Sequence, residues 1–290
     1  MEQQFELFTN CPGPGNPAAF VVRDRKNGCW IGGAGANFYR PWVFPLYTPS
    51  GLTVVQEFAF DHPFHNGVFV GQHPVEVDGR IGNFWAMPPR RSFDDAIWTN
   101  VGRMDAESTP SQKLSEEGCT IEFTSVWRDE GEAPLLDERR VVRFHTYEDA
   151  HAVDVISIKT AAYGDALFHK SKYGSIGVRV EPRLLPPLEG VVIADRNRRG
   201  TAALVDTDRH SEYVAYETAV AGHTYGILLH VMDPGVTGPW FVRDYGMAMY
   251  NPTLNEEISV PKGESWTVSL RVVAYDGPMT EPRAAIWCDR

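Results

Sequence analysis

Two histidines and an aspartate, Asp61, His62 and His65, lie within five positions of the chain. In a regular strand His62 and His65 would point to opposite faces, because successive side chains alternate. Pro63 and Gly67 instead predict a turn or bulge, which can bring both imidazoles to one side. Such a pair would act as proton donor and acceptor near neutral pH, with Asp61 fixing the tautomer of one ring.

The same two imidazoles are also a candidate metal site. His62 and His65 could ligate a divalent metal together with His73 or a more distant residue. The structural alternative is that Asp61 caps the turn and that both histidines hydrogen-bond to backbone groups. The residues alone leave these possibilities open, and they indicate no other cofactor.

Basic and aromatic side chains elsewhere could bind a substrate. Arg179 alternates with the apolar positions of a predicted strand and follows Gly177 by two residues, which leaves room for a ligand. A guanidinium that faces a cleft would bind hydroxyls or a carboxylate as a planar fork. Near Arg243, aromatic residues beside Arg and Asp suit a sugar face. The candidate binding residues are Arg40, Lys172, Arg179, Trp240, Tyr245 and Asn251; a solvated arginine and core aromatics beside a surface ion pair are the alternatives.

Short strands must position these residues. The run 118–129 alternates apolar and polar residues, the run 266–272 repeats that period, and 26 Gly and 21 Pro supply turns. Further strands are predicted near 18–23, 52–60, 66–71, 140–147, 152–159, 174–181, 201–206, 212–217, 225–232 and 246–250. About fifteen strands predict an all-β fold, a large antiparallel β-sandwich, as one domain over residues 1–290. Residues 105–117 are expected to form an exposed polar loop, with a short helical turn around 111–117.

Composition limits the classes of function. The chain has 290 residues, of which 43% are hydrophobic, and a formal net charge of −11. That charge argues against a general binder of nucleic acid or of anionic membranes, which needs clustered positive charge. The apolar runs are too short for a membrane span, and the first residues lack the basic region of a secretory signal. Four scattered cysteines without a Cys-x-x-Cys pair favour a reducing, cytoplasmic setting.

The segment from Arg40 to Trp85 resembles a domain family of unknown function that is labelled methane oxygenase PmoA. The matching residues are Arg40, Pro41, Pro45, Leu46, Tyr47, Pro49, Gly51, Asp61, His62, Pro63, His65, Gly67, Gly82, Phe84 and Trp85. Similar segments at 173–179 and 243–252 extend the resemblance over roughly residues 18–276. Asn66 departs from the basic residue that the family pattern implies there. Because a membrane methane monooxygenase subunit needs transmembrane helices, the label is expected to mislead.

The closing segment 261–277 is similar to the last strands of galactose-mutarotase-like supersandwiches, which bind sugars on the concave face of a sheet. These resemblances imply carbohydrate catabolism and a small-molecule carbohydrate as partner. We therefore expect a lyase or an isomerase or epimerase that acts on a glycoside or keto-glycoside by proton abstraction, with β-elimination or isomerisation. His62 or His65 would be the base, and the other histidine or a metal would steady the enolate oxygen. A non-catalytic sugar-binding subunit and a metal-dependent oxygenase are the alternatives, and a homo-oligomer is left open.

Overall fold

The computed structural model describes residues 4–10, 19–59, 61–87, 95–107, 109–200 and 210–289. Within these residues, two ten-stranded sheets of antiparallel strands are formed. The first sheet comprises β1 (Phe5–Asn10), β2 (Ala19–Asp24), β3 (Trp30–Ala36), β4 (Pro41–Leu46), β5 (Val68–Val77), β6 (Arg80–Gly82), β12 (Ala166–Arg179), β17 (Trp240–Val242), β18 (Met247–Tyr250) and β19 (Ile258–Val260). Its strand order is β1-β2-β3-β4-β5-β12-β18-β17, with β6 paired to β5 and β19 to β12.

The second sheet has the order β14-β13-β15-β16-β20-β11-β10-β9-β7, with β8 paired to β9. Its strands are β7 (Arg103–Ala106), β8 (Ser111–Leu114), β9 (Cys119–Arg128), β10 (Pro134–Thr146), β11 (Ala150–Thr160), β13 (Val191–Ala194), β14 (Arg198–Gly200), β15 (Tyr213–Val220), β16 (His223–Val231) and β20 (Ser265–Asp276). One α-helix, α1 (Glu281–Cys288), and four 3-10 turns at Asp95–Trp98, Pro182–Leu184, Pro186–Leu188 and Pro252–Leu254 complete the described elements. No helix in these ranges is long and apolar enough to cross a membrane.

The two sheets share one hydrophobic core, which confirms the predicted all-β sandwich. Val70 and Val178 of the first sheet and Phe123 and Leu270 of the second sheet belong to the same buried cluster. The predicted alternation explains this packing, because every second residue of β9 from Cys119 onwards is buried. Burial of each large apolar side chain contributes about 1.5–3 kcal/mol. The assignment of residues 1–290 to one domain stays a prediction.

Two sequence predictions about local structure need correction. Residues 105–117 are largely exposed, as expected, but they contain the end of β7 and all of β8 rather than a loop with a helical turn. Both strands pair with the edge of β9, because its backbone N–H and C=O groups need partners that even a polar segment can supply. The strand predicted near 52–60 is not continuous in the described residues, because Thr53 and Val55 form only isolated β-bridges. The predicted strand at 201–206 and Cys11 lie outside the described residues.

The outer face of the first sheet carries a second, smaller apolar cluster. Cross-strand pairing places Phe69 of β5 beside Gly177 of β12, and Gly177 beside Met249 of β18. Phe69 and Met249 belong to this cluster, whereas Val70 and Val178 point into the main core. A Cβ at position 177 would lie 2.4 Å from Cβ of Met249, so glycine permits the close packing. Arg179 lies two residues further along the same face of β12.

Candidate functional site

The turn predicted at the histidine motif is present. The backbone N–H of His65 donates to the carbonyl of His62 at 2.9 Å, and Asn66 Nδ2 donates to the carbonyl of Pro63 at 3.3 Å. Gly67 has a φ of +50°, and a Cβ there would lie 1.9 Å from the carbonyl oxygen of Val43. Glycine is therefore required where the chain leaves the turn and enters β5.

This turn places the two imidazoles face to face. The rings of His62 and His65 are 5.1 Å apart between centroids, with an interplanar angle of 4°. The stack continues to Tyr245 beyond His62, at 5.9 Å, and to Phe69 beneath His65, at 5.3 Å. The His62 side chain is 35% exposed, whereas His65 as a whole is 2% exposed. One histidine therefore faces the entrance and the other lies on the sheet.

Asp61 orients the exposed histidine. His62 Nδ1 lies 2.8 Å from Asp61 Oδ2, and Asp61 Oδ1 accepts a hydrogen bond from Arg179 Nη2. Burial alone would raise the pKa of the Asp61 carboxyl, but the hydrogen bonds from His62 and Arg179 hold that pKa well below its usual range. The carboxylate therefore stays ionised and favours a proton on Nδ1 of His62, which leaves Nε2 as the acceptor.

His65 is a neutral, unsatisfied imidazole. Neither of its ring nitrogens has a hydrogen-bond partner among the residues described. Burial is the main cause that lowers the pKa of His65 well below its usual range, and the positive charges of Arg179 and Arg40 lower it further. A buried ring with both nitrogens unpaired is free to bond a ligand.

The histidines open onto a cavity of 270 Å³ above the outer face of the first sheet. This volume is near the lower end of small-molecule sites, about 300–1,000 Å³. The cavity is lined by His62, Phe64, His65, Trp85, Ile97, Lys172, Tyr173, Phe241, Arg243, Tyr245 and Met247. Flat aromatic walls with a few polar groups suit a sugar ring.

The candidate binding residues separate into two groups. Lys172 and Tyr245 line the cavity. Arg179 adjoins it, because its guanidinium lies 4.8 Å from the centre of the Tyr245 ring and bonds Asp61. Arg40 lies beside the cavity lining, with Nη2 donating to the carbonyl of Trp85 at 2.7 Å. These four residues therefore belong to the site or its immediate support.

Trp240 and Asn251 do not line the cavity. Trp240 is fully buried in the main core, where its indole N–H donates to the carbonyl of Ser211 at 2.8 Å. Asn251 is also fully buried; its Nδ2 donates to the carbonyl of Ser171 at 2.8 Å, and its Oδ1 accepts from Thr253. Asn251 thus anchors the strand just before Lys172 rather than touching a ligand.

Several lining residues were missed by the candidate list from the sequence. Tyr173, Phe241, Arg243 and Met247 complete the wall. Arg243 and Met247 each lie two residues from Tyr245, so their nearness in sequence to this candidate could have indicated that they share its site. Ile97 carried no such signal, because it reaches the cavity from a 3-10 turn far from the motif.

The metal-binding role predicted for His62 and His65 stays a prediction. No group of three His, Cys, Asp or Glu side chains that could hold an ion occurs among the described residues. The rings of His62 and His65 are parallel within 4°, so their in-plane lone pairs lie in parallel planes and do not converge on one ion. The facial-triad arrangement of a metal-dependent oxygenase is therefore not formed by Asp61, His62 and His65.

Two other polar clusters were considered. Ser50, His223 and Asp276 are mutually bonded, but Nε2 of His223 contacts both partners, at 3.2 Å and 2.9 Å. A nucleophile triad needs one ring nitrogen for each partner, so this arrangement does not activate the serine. A cavity of 470 Å³ next to α1 is lined in part by His230 and Arg271. His230 bonds a backbone carbonyl and Arg271 is paired with Asp154, so this cavity offers neither group to a ligand in unpaired form.

Comparisons with known proteins bear on the family and the fold. Residues 33–287 match the model of a family described as a family of unknown function (DUF6807), a description without the methane oxygenase label. No curated protein matches the chain. The galactose 1-epimerase of Lactobacillus acidophilus NCFM is similar at 8% identity and a TM-score of 0.47, over 96% of this chain and 100% of that chain.

Two larger enzymes are similar over part of their length. The 4-alpha-glucanotransferase of Thermococcus litoralis has 8% identity and a TM-score of 0.37, over 94% of this chain and 41% of that one. The GH36 alpha-galactosidase AgaA of Geobacillus stearothermophilus has 13% identity and a TM-score of 0.35, with coverages of 94% and 41%. The chain thus spans less than half of both enzymes, and these TM-scores are too low to transfer an activity.

Proposed function

The chain belongs to DUF6807, a family of unknown function, and from that premise we propose that it is an acid–base enzyme of carbohydrate catabolism. The proposed substrate is a glycoside or keto-glycoside, and the proposed reaction is proton abstraction next to a carbonyl. β-Elimination or isomerisation would follow. The observation that carries the proposal is the Asp61–His62 pair, which lies beside Arg179 at the edge of an aromatic cavity.

His62 is the proposed base. With Nδ1–H donated to the ionised Asp61, Nε2 keeps its lone pair, and the partly exposed ring lines the cavity. A base held in one tautomer and one orientation loses little entropy when it takes a proton. Asp61 would not take the proton itself, because its pKa is held well below the usual range by His62 and Arg179 against the effect of burial.

His65 and Tyr245 are the proposed donors to the developing enolate oxygen. Burial lowers the pKa of His65, so the ring is neutral and keeps one N–H. Burial also raises the pKa of the Tyr245 phenol, which therefore stays protonated at neutral pH. Neutral donors that are fixed before the reaction stabilise negative charge without reorganisation.

The electrons and protons of the reaction balance within these groups. His62 takes the proton from carbon, the C–H electron pair forms the enolate double bond, and the carbonyl electrons move to oxygen. In β-elimination the carbonyl re-forms and the leaving oxygen departs with a proton from an acid in the cavity. In isomerisation the enolate oxygen takes a proton, the neighbouring hydroxyl gives one up as its oxygen becomes the new carbonyl, and the proton on His62 passes to the former carbonyl carbon. Tyr245 and protonated His62 are the available acids on this wall.

The aromatic walls also support a second candidate, a sugar-binding protein without catalysis. Phe64, Trp85 and Phe241 would stack on a sugar ring whether or not a reaction follows. Calorimetric binding of a sugar with no change in its NMR spectrum would favour this candidate.

The decisive experiment compares His62→Gln with the parent protein on keto-glycosides in D2O, followed by NMR. The parent should exchange deuterium next to the carbonyl and form product, and His62→Gln should slow this about 100- to 10,000-fold. His223→Gln, which alters a histidine paired with Asp276 outside the cavity, is the matched control and should keep the parent rate. If folded His62→Gln turns over a responsive keto-glycoside as fast as the parent, the proposal is wrong.

A further inference from the structure

Two buried guanidiniums beside the cavity are only partly hydrogen-bonded. Arg40 is 1% exposed and Arg179 is 4% exposed. In each, Nε and Nη1 have no hydrogen-bond partner in the part of the chain that the structure describes. Arg179 is paired with the Asp61 carboxylate, whereas Arg40 donates to the backbone carbonyls of Trp85 and Ala86. A buried charge without a counter-charge is costly, so the guanidinium of Arg40 calls for a negative partner.

Both guanidiniums lie directly behind side chains of the cavity wall or of its aromatic stack. The guanidinium of Arg40 lies 5.9 Å from the centre of the Phe69 ring, which stacks on His65 at 5.3 Å. The guanidinium of Arg179 lies 4.8 Å from the centre of the Tyr245 ring, which lines the cavity. His65 lines the cavity, and both of its nitrogens are unpartnered. Ser175, which lies on the same face of β12 as Arg179, is fully buried and its hydroxyl is also unpartnered. Arginine supplies only donors, so this wall calls for an acceptor.

The distribution of charge around the cavity also favours an anionic ligand. The chain as a whole carries −11, yet Lys172 and Arg243 add positive charge to the cavity lining. Asp61 lies at its edge, and both oxygens of this carboxylate are already engaged by His62 and Arg179. A positive cavity in an acidic protein would concentrate anions against the overall repulsion.

We propose that the substrate carries an anionic group, the carboxylate of a sugar acid or the phosphate of a sugar phosphate, which binds to the guanidinium donors of Arg40 and Arg179 next to His65. This inference rests on the proposed function, because it names the substrate class of the same cavity. A neutral hydroxyl would accept a hydrogen bond, but it would not supply the negative charge that Arg40 lacks among its described contacts. Carboxylate and phosphate both match the planar donor fork of arginine.

Isothermal titration calorimetry with the full chain tests the charge preference. The probes are glucuronate, galacturonate, glucose 6-phosphate and galactose 6-phosphate, each compared with its neutral parent sugar. At least one anionic probe should bind about ten- to hundredfold more tightly than its parent, the range of charged hydrogen bonds. Preference for the uronates identifies a carboxylate, and preference for the phosphate esters identifies a phosphate. Equal or tighter binding of the neutral sugars, or no binding of any acid, overturns the proposal.

Two further measurements locate the anion. The imidazole 15N resonances of His65, assigned with His65→Asn, should shift on addition of the preferred acid. Arg179→Lys should weaken that acid about tenfold more than the neutral sugar, because lysine lacks the fork. Arg139→Lys, on an exposed arginine of the second sheet, is the control and should change neither affinity. An acid that binds without moving the His65 resonances overturns the assigned location, even if Arg179→Lys does not fold.

The binding tests are independent of turnover. None of the probes is a keto-glycoside, so anion preference can hold while His62→Gln retains activity, or fail while that variant is inactive. The two proposals can therefore be refuted separately.

Discussion

Replacing Asp61 with asparagine should remove the proposed base without removing its imidazole. Oδ1 of Asp61 accepts from Arg179 Nη2, and Oδ2 lies 2.8 Å from Nδ1 of His62. Asparagine has one oxygen, and Arg179 can only donate, so that oxygen is held by Arg179. The amide N–H2 then faces Nδ1 of His62, which must become an acceptor and move its proton to Nε2. The nitrogen that faces the cavity loses its lone pair.

The expected loss is therefore the whole contribution of general-base catalysis, about 100- to 10,000-fold in kcat/KM. The Asp61 side chain is 40% exposed, so weakening its ion pair with Arg179 should cost only about 1–2 kcal/mol of unfolding free energy. That corresponds to a fall of about 2–8 °C in Tm. Deuterium exchange by NMR and thermal denaturation measure the two effects on the same sample.

The control for this variant is Asp276→Asn. His223 Nε2 lies 2.9 Å from Asp276 Oδ1, so the same substitution breaks an Asp–His pair that does not line the cavity. Asp276→Asn should keep the parent kcat/KM. The double variant Asp61→Asn/His62→Gln should be no slower than His62→Gln alone, because both changes remove one base. A folded Asp61→Asn protein with the parent rate would refute the tautomer argument.

Three other predictions concern the core of the molecule. Burial would raise the pKa of Asp154, but hydrogen bonds from His145 and Arg271 hold that pKa below its usual range. The ionised Asp154 therefore contributes stability above about pH 4, and this stability is lost as the pH falls. Urea denaturation should show that Asp154→Asn is less stable by about 3–5 kcal/mol at pH 7 and that its stability depends less on acid. Burial lowers the pKa of Lys159 to about 7. Between that pH and the pKa of an unfolded lysine, the unfolded chain binds more protons than the folded protein, so stability rises with pH. Lys159→Met should abolish this rise and increase the unfolding free energy measured in urea at pH 7 by about 1–4 kcal/mol. Trp240→Ala should lower the unfolding free energy by about 3–5 kcal/mol, whereas Trp240→Phe should leave sugar affinity in calorimetry unchanged, because this side chain lies in the core.

Much of the fold could be predicted from local patterns. The two-residue period of β9 and β20 is produced by burial of one face, so it is visible along the chain. The polar strand β8 was missed, since its pairing with β9 depends on a free sheet edge and not on its own side chains. Helix α1, with eight residues, is too short for a clear helical period.

The histidine motif was predictable because its residues are adjacent in sequence. Pro63 and Gly67 constrain the turn locally, and the glycine fits a place that a Cβ would block. The distant partners were only partly predictable. Trp240 and Tyr245 looked alike as aromatic candidates, yet one packs in the core and the other stacks on His62.

By itself, the sequence determined the all-strand sandwich and the bent histidine segment, because alternation and turn chemistry act between near neighbours. The tertiary structure alone decided that the histidines open onto the outer face of the first sheet, with Arg179 and Lys172 of β12 beside them and Arg40 beneath Trp85. Strand register and packing bring together residues that lie more than a hundred positions apart in the sequence. Burial then removes the water that would otherwise hydrate their charged groups.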